Sequence, residues 1–148
     1  MKNMTNKKYI AYNDFINDCR TQASYIKDKG FNKIVAVTRG GMVPACVLAQ
    51  FSDIREVGSI ALKSYEGEDN RQGVTCLNEP NMKIDERTLF VDDLYDSGNT
   101  YRYLKQKYPT AKVMVIYSKD DTVELDFPAV LQKRGEWLVF PWEFDKLS

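Results

Sequence analysis

The run Thr88-Leu89-Phe90-Val91-Asp92-Asp93-Leu94-Tyr95-Asp96-Ser97-Gly98-Asn99-Thr100 constrains the fold of this chain more than any other stretch. Thr88 to Val91 is a short β-type run that delivers two adjacent carboxylates. A turn with a third carboxylate, a hydroxyl and a glycine follows, and a helical pattern starts at Tyr101. Strand, acidic pair, small polar loop and helix start, in that order, suit a phosphorylated sugar at the carboxyl edge of an open α/β sheet. Backbone N–H groups at a helix start favour a phosphate. Ser97 and Thr100 add hydroxyl donors, and Gly98 lets the backbone come close. Asp92 and Asp93 would repel a bare phosphate, so they suit sugar hydroxyls or a hard cation such as Mg²⁺.

The remaining elements alternate in the same way. Asn13 or Asp14 is expected to cap a helix running to about Lys29, with Phe15, Cys19 and Ile26 on one face and Gly30 as its stop. Lys33 to Thr38 is a buried-type strand, and Met42 to Phe51 an apolar helix that tolerates Pro44 in its first turn. Between them lies Thr38-Arg39-Gly40-Gly41, a turn whose N–H groups and guanidinium suit a second anion, although a tight strand-to-helix turn needs the same glycines. Val57 to Tyr65 reads as a strand. Residues 66–87 are polar with scattered apolar positions and read as a mobile flap with a small hairpin around Gly73. A helix at Tyr101 to Tyr108 ends at Pro109, and a strand at Lys112 to Ser118 ends in Lys119. A short strand is expected at Ala129 to Leu131, and Glu136 to Trp142 brings both tryptophans. Tyr9 to Tyr12 reads as a short extended piece. The pattern gives one domain, 1–148, with a mostly parallel sheet flanked by helices.

Composition removes several chemistries. The chain of 148 residues has no histidine, which excludes Ser-His-Asp and Cys-His catalysis and most zinc enzymes. Formal net charge is zero, so bulk electrostatics do not point to nucleic acid or a membrane surface. Cys19, Cys46 and Cys76 have no metal-type spacing and read as reduced thiols. Met1 to Lys8 is not followed by a signal-type apolar run, and no membrane span is expected, which together imply a cytoplasmic protein.

The acidic stretch resembles the PRPP-binding motif of type I phosphoribosyltransferases: a hydrophobic strand, Asp92-Asp93, then Asp96-Ser97-Gly98 and a small residue before Thr100. Asn99 departs from the Gly or Lys often found there, a change the loop tolerates because Asn accepts left-handed conformations. Thr38-Arg39-Gly40-Gly41 is similar to the family's pyrophosphate loop in its purine-salvage branch. Asp69-Asn70-Arg71 is similar to an element of the family's flexible hood. Trp137-Leu138 and Pro141-Trp142 match the C-terminal pattern of the xanthine-guanine enzymes. Those enzymes continue with an apolar tail where this chain stops at Ser148, which leaves the oligomeric state, homodimer or homotetramer, open.

The resemblance implies a type I phosphoribosyltransferase fold with base-specificity elements near 119–142. It implies transfer of a phosphoribosyl group from PRPP to a 6-oxopurine, namely guanine, xanthine or hypoxanthine. Thr38, Arg39, Gly40, Gly41 and Arg71 would hold the pyrophosphate. Asp92, Asp93 and the loop Asp96, Ser97, Gly98, Asn99 and Thr100 would hold the ribose and 5′-phosphate, with Mg²⁺ on Asp93. Lys119, Trp137 and Leu138 would hold the purine. Asp96 would serve as acid–base group, the alternative being a purely structural cap of the helix at Thr100. Alternatives are a PRPP- or nucleotide-sensing regulator of the same fold, and an enzyme for another base such as orotate or uracil.

Overall fold

The computed structural model describes residues 6–65 and 73–147. Its main sheet has six strands: β2 (Lys33–Thr38), β3 (Glu56–Tyr65), β4 (Gly73–Asn78), β5 (Thr88–Tyr95), β6 (Lys112–Ser118) and β7 (Val130–Leu131). Their spatial order is β4-β3-β2-β5-β6-β7, and only the β3–β4 pair is antiparallel. A second, two-stranded parallel ribbon pairs β1 (Asn6–Tyr9) with β8 (Glu136–Val139), Lys7 opposite Trp137.

The central strands carry apolar runs, Ile34 to Val37, Leu89 to Val91 and Val113 to Ile116, because both faces are covered there. On one face Ile34, Ala36, Leu89, Val91, Met114 and Ile116 pack beneath α1 (Tyr12–Ile26) and α2 (Met42–Ser52). On the other, Val35, Val37, Phe90 and Val113 pack against Leu104 of α3 (Asn99–Lys107). The alternation along each strand follows the period of two. Phe90, fully buried, is worth about 1.5–3 kcal/mol of transfer energy here.

Three expectations need correction. Helix α1 starts at Tyr12 with Ala11 as its N-cap and no side-chain cap bond, so neither Asn13 nor Asp14 caps it. Asp14 lies in the first turn, where its charge favours the helix dipole. The same helix ends at Ile26, because Lys27 is extended and Asp28 takes a left-handed conformation before Gly30 does. Strand β5 runs to Tyr95, past the acidic pair, because β6 continues beside it through Leu94–Tyr117 and Tyr95–Ser118. Strand β2 parts from β5 after Ala36–Val91, and this divergence opens the carboxyl edge at Asp92.

Of the segment 66–87, residues 73–87 are described, and the antiparallel pairing of Tyr65 with Gly73 fits the hairpin expected around Gly73. Residues 73–78 form β4 at the sheet edge, with Val74 and Cys76 half-buried and Thr75 exposed. Met82 and Ile84 pack on the second core, and Lys33 Nζ reaches the Lys83 carbonyl at 2.7 Å and Asp85 at 3.1 Å. These short periods lie among polar residues and give no sustained pattern. The expected hairpin turn, and Arg71 within it, lie outside the described residues. The cysteines are free thiols, and burial pushes the Cys19 thiol up to about 12.

Candidate active site

The carboxyl edge of the sheet holds a cavity of about 670 Å³. Thr38, Arg39 and Gly40 line it from the β2–α2 turn, Asp92 and Asp93 from β5, and Thr100 from the start of α3. Of the two anion-type loops read from the sequence, the first faces this space through Thr38, Arg39 and Gly40 and the second through Thr100.

The turn after β2 is tight. Gly41 N–H donates to the Val37 carbonyl at 2.7 Å, Met42 N–H donates to the Arg39 carbonyl at 3.0 Å, and the Thr38–Arg39 peptide is cis. Both glycines are needed for closeness rather than for a left-handed backbone. A Cβ on Gly40 would lie 2.6 Å from Cγ of Asp93, and one on Gly41 would strike the Val91 carbonyl. Thus the turn is pressed directly onto the acidic strand, with Arg39 exposed at the rim.

Asp92 and Asp93 stand half-buried at the cavity wall, and the Asp93 N–H donates to Asp92 Oδ1 at 2.9 Å. Loss of water around the carboxylates, and then the neighbouring Asp93 charge, push Asp92 well above the usual carboxylate range. Desolvation also pushes Asp93 up, with a further contribution from the Glu143 charge. A pair of closely spaced, poorly solvated acids is a place where a cation is favourable. Among the described residues no cluster of three or more acidic or thiol groups could hold a metal alone. A hard ion here would complete its shell with ligand oxygens and water, the habit of Mg²⁺ beside phosphates.

The loop Asp96 to Thr100 encloses a smaller cavity of about 60 Å³ together with Asp92, Tyr95 and Tyr101. Gly98, at φ +88°, is the N-cap of α3 and makes no side-chain cap bond, and the Asn99 N–H at the helix start donates to Ser97 Oγ rather than to Asp96. Capping therefore does not account for Asp96. A Cβ on Gly98 would lie 2.6 Å from both Cζ of Tyr95 and Nη1 of Arg102. Ser97 Oγ accepts from the Asn99 N–H at 3.3 Å. Asn99 and the Ser97 carbonyl accept from Arg102 Nη2 at 2.9 and 3.3 Å.

On the base side, Lys119 Nζ stands 4.0 Å from Asp96 Oδ2, the lysine nearly buried and the aspartate exposed. The Lys119 N–H donates to the Tyr95 carbonyl at 3.0 Å, so the ends of β5 and β6 bring the two charges together. Trp137 and Leu138 part company: Trp137 is 59% exposed on the outer face of β8, whereas Leu138 points inward at 4%. The Leu138 side chain is core, which leaves only its backbone for a ligand.

Sequence reasoning missed several lining residues. Leu62, Lys63 and Ser64 reach the main cavity from β3, and Trp142, Glu143 and Phe144 from beyond β8. Trp142 stacks on Phe140 with ring centroids 5.0 Å apart and meets Phe15 edge-on at 4.9 Å. Glu143 accepts from the Phe140 N–H at 2.9 Å. The acid directly after Pro141-Trp142 was the available signal.

The phosphoribosyl transferase domain family matches residues 7–148. A xanthine-guanine phosphoribosyltransferase of Idiomarina loihiensis is 36% identical over 116 residues, covering 76% of this chain and 71% of that protein. One from Vibrio atlanticus is 34% identical over 142 residues, covering 95% and 91%. The crystal structure of a purine phosphoribosyltransferase from Pyrococcus horikoshii superposes with a TM-score of 0.79 at 20% identity, covering 97% of this chain and 98% of that one, and shares its fold.

Proposed function

The chain belongs to the phosphoribosyl transferase family, and from that premise we propose how its cavity works. The protein is a purine phosphoribosyltransferase, a pentosyltransferase of purine salvage. It joins a 6-oxopurine to PRPP, giving a nucleoside 5′-monophosphate and pyrophosphate. The carrying observation is that the Arg39-Gly40 turn, the Asp92-Asp93 pair and Thr100 line one cavity of about 670 Å³. That space accepts a sugar with a phosphate group at each end.

Cleavage of the bond from C1 to pyrophosphate leaves oxocarbenium character on the ribose and charge on the leaving group. The loop Asp96 to Thr100, through the N–H groups at the start of α3, grips the 5′-phosphate. Thr38 to Gly41 takes the pyrophosphate through N–H groups and the Arg39 guanidinium. Asp92 orients ribose hydroxyls. Asp93 would hold Mg²⁺ together with substrate oxygens, and the ion would supply neutralisation of phosphate charge. Asp96 accepts the N7 proton as N9 bonds to C1, so the purine leaves with the charge it brought. Lys119 donates to the 6-oxygen, and Trp137 offers its exposed ring to the base. Arg71, which lies outside the described residues, would add a guanidinium to the pyrophosphate site by the family resemblance.

The protein acts in the cytoplasm, as a homodimer or homotetramer, with no nucleic-acid partner. Among the described residues no helix is long and apolar enough to cross a membrane. Helix α2 carries no charged side chain and exposes Met42, Cys46 and Phe51, which suits a covered face in such an assembly.

A coupled assay of pyrophosphate release with PRPP, Mg²⁺ and guanine, xanthine, hypoxanthine, adenine or orotate tests the reading. Turnover confined to the 6-oxopurines is expected. Thermal stabilisation by PRPP without turnover on any base would instead favour a sensing role, and turnover with orotate another base class.

A further inference from the structure

We infer that Arg134 is a positioning residue for purine recognition: its guanidinium fixes the Lys119–Asp120 corner and so aims the Lys119 ammonium at the base. This rests on the reading above, in which Lys119 meets the 6-oxygen. Lysine is a point charge on a flexible four-carbon stem, so its aim depends on how firmly its backbone is held. The Lys119 peptide is fastened from two sides. Its N–H donates to the Tyr95 carbonyl at 3.0 Å, and its carbonyl accepts from Arg134 Nε at 3.1 Å.

The next residue is tied by the same side chain. Arg134 Nη2 lies 3.1 Å from Asp120 Oδ1. That oxygen also accepts from the Thr122 N–H at 2.8 Å and the Thr122 hydroxyl at 2.6 Å. The Asp120 N–H donates to Ser118 Oγ at 3.1 Å. One planar fork therefore spans a backbone carbonyl and a carboxylate on successive residues, a geometry a lysine ammonium cannot copy.

Position in the chain adds to this. Arg134 precedes Gly135, whose φ of +87° turns the backbone into β8 and Trp137. The clamp thus joins the strand end that carries Lys119 to the ribbon that carries Trp137. The Arg134 side chain is 69% exposed, so as an ion pair it adds little stability. Its effect falls on the placement of Lys119, whose Nζ stands 4.0 Å from Asp96.

Steady-state kinetics with guanine and PRPP on Arg134→Ala, Lys119→Met and the double variant test this. Arg134→Ala should raise KM for guanine about 10-fold, since small misplacements of binding groups are costly. KM for PRPP should move less than about two-fold, and Tm should stay close to the parent value. In the Lys119→Met background, Arg134→Ala should add nothing, because it acts through Lys119. Additive losses, or an equal rise in both KM values, overturn the inference. Impaired Lys119→Met beside a normal Arg134→Ala overturns the inference alone. A normal guanine KM in Lys119→Met overturns the reading of Lys119 and this inference with it. Arg134→Lys keeps the charge but not the fork, and carries the test if Arg134→Ala does not fold. A raised guanine KM at unchanged PRPP KM supports the clamp, and full parental behaviour overturns it.

Discussion

The carboxylate of Asp93 occupies the space that a side chain on Gly40 would need, with its Cγ 2.6 Å from a Cβ built there. Two stretches more than fifty positions apart are thereby locked together: the turn that would take the leaving pyrophosphate and the acid that would hold the cation beside it. Gly41 makes the matching contact to the Val91 carbonyl one step deeper.

Gly40→Ala and Gly41→Ala should therefore fail differently. The neighbour of Gly40 is a side chain that can rotate, so Gly40→Ala should fold, at a cost of about 1–3 kcal/mol for overpacking. It should lose about 10²-fold in kcat/KM, because Asp93 is displaced. The neighbour of Gly41 is a strand carbonyl that cannot yield, so Gly41→Ala should lose more Tm than Gly40→Ala. Thermal melts and turnover of both variants check the pair, and unaltered turnover in Gly40→Ala would remove Asp93 from the chemistry.

Turnover should need a divalent cation, Mg²⁺ before softer metals. Asp92 and Asp93 sit together with raised proton affinity, and the chain has no histidine, which leaves hard oxygen ligation. Excess EDTA should abolish pyrophosphate release, and added Mg²⁺ should restore it. Undiminished turnover in EDTA would refute the assignment.

Tyr101 supplies a pH test of the helix that carries the phosphate loop. Its hydroxyl accepts from the Asp126 N–H at 2.8 Å, and burial pushes its pKa up to about 12. In the unfolded chain a tyrosine ionises near 10. The folded state therefore favours the neutral phenol, so its contribution is full below about pH 10 and is lost as pH rises towards 12. Tyr101→Phe leaves the Asp126 N–H without its acceptor and should cost about 1–3 kcal/mol at neutral pH. The gap in stability between parent and variant should narrow across pH 10–12. A constant gap in denaturant titrations over that range would contradict the placement.

The sheet was legible because both of its faces are buried: Ile34-Val35-Ala36-Val37 and Val113-Met114-Val115-Ile116 read as apolar runs without alternation. The positions of the two loops were legible because each lies between an apolar strand run and a helical pattern, which places both at the carboxyl edge of the sheet. What stayed hidden depended on pairing. The extension of β5 through Asp92 to Tyr95 is polar in composition and is held by β6. Strand β4 is defined by its register with β3 rather than by its own pattern. Glu143 and Arg134 act across the chain, one near Asp93 and one on Lys119, and no local spacing marks either. The roles of Leu138 and Trp137 divided only once the direction of β8 was known.

Asp96→Asn addresses the proton transfer. Gly98 is the N-cap of α3, so the start of the helix does not depend on the Asp96 carboxylate. Asp96 is well exposed and 4.0 Å from Lys119 Nζ, a pair too open to matter much for stability. The amide keeps the size and one acceptor oxygen, so the loop should form and bind the 5′-phosphate. It cannot take up the N7 proton. Groups of this kind contribute about 10²–10⁴-fold, and kcat with guanine should fall within that range. Tm and the affinity for nucleoside monophosphate should change little, because neither uses proton transfer. Measured together, these three quantities separate chemistry from architecture. If the variant turns over guanine and xanthine at near-parental rates across neutral pH, Asp96 is scaffold, and the N7 proton is handled by water or by the substrate itself.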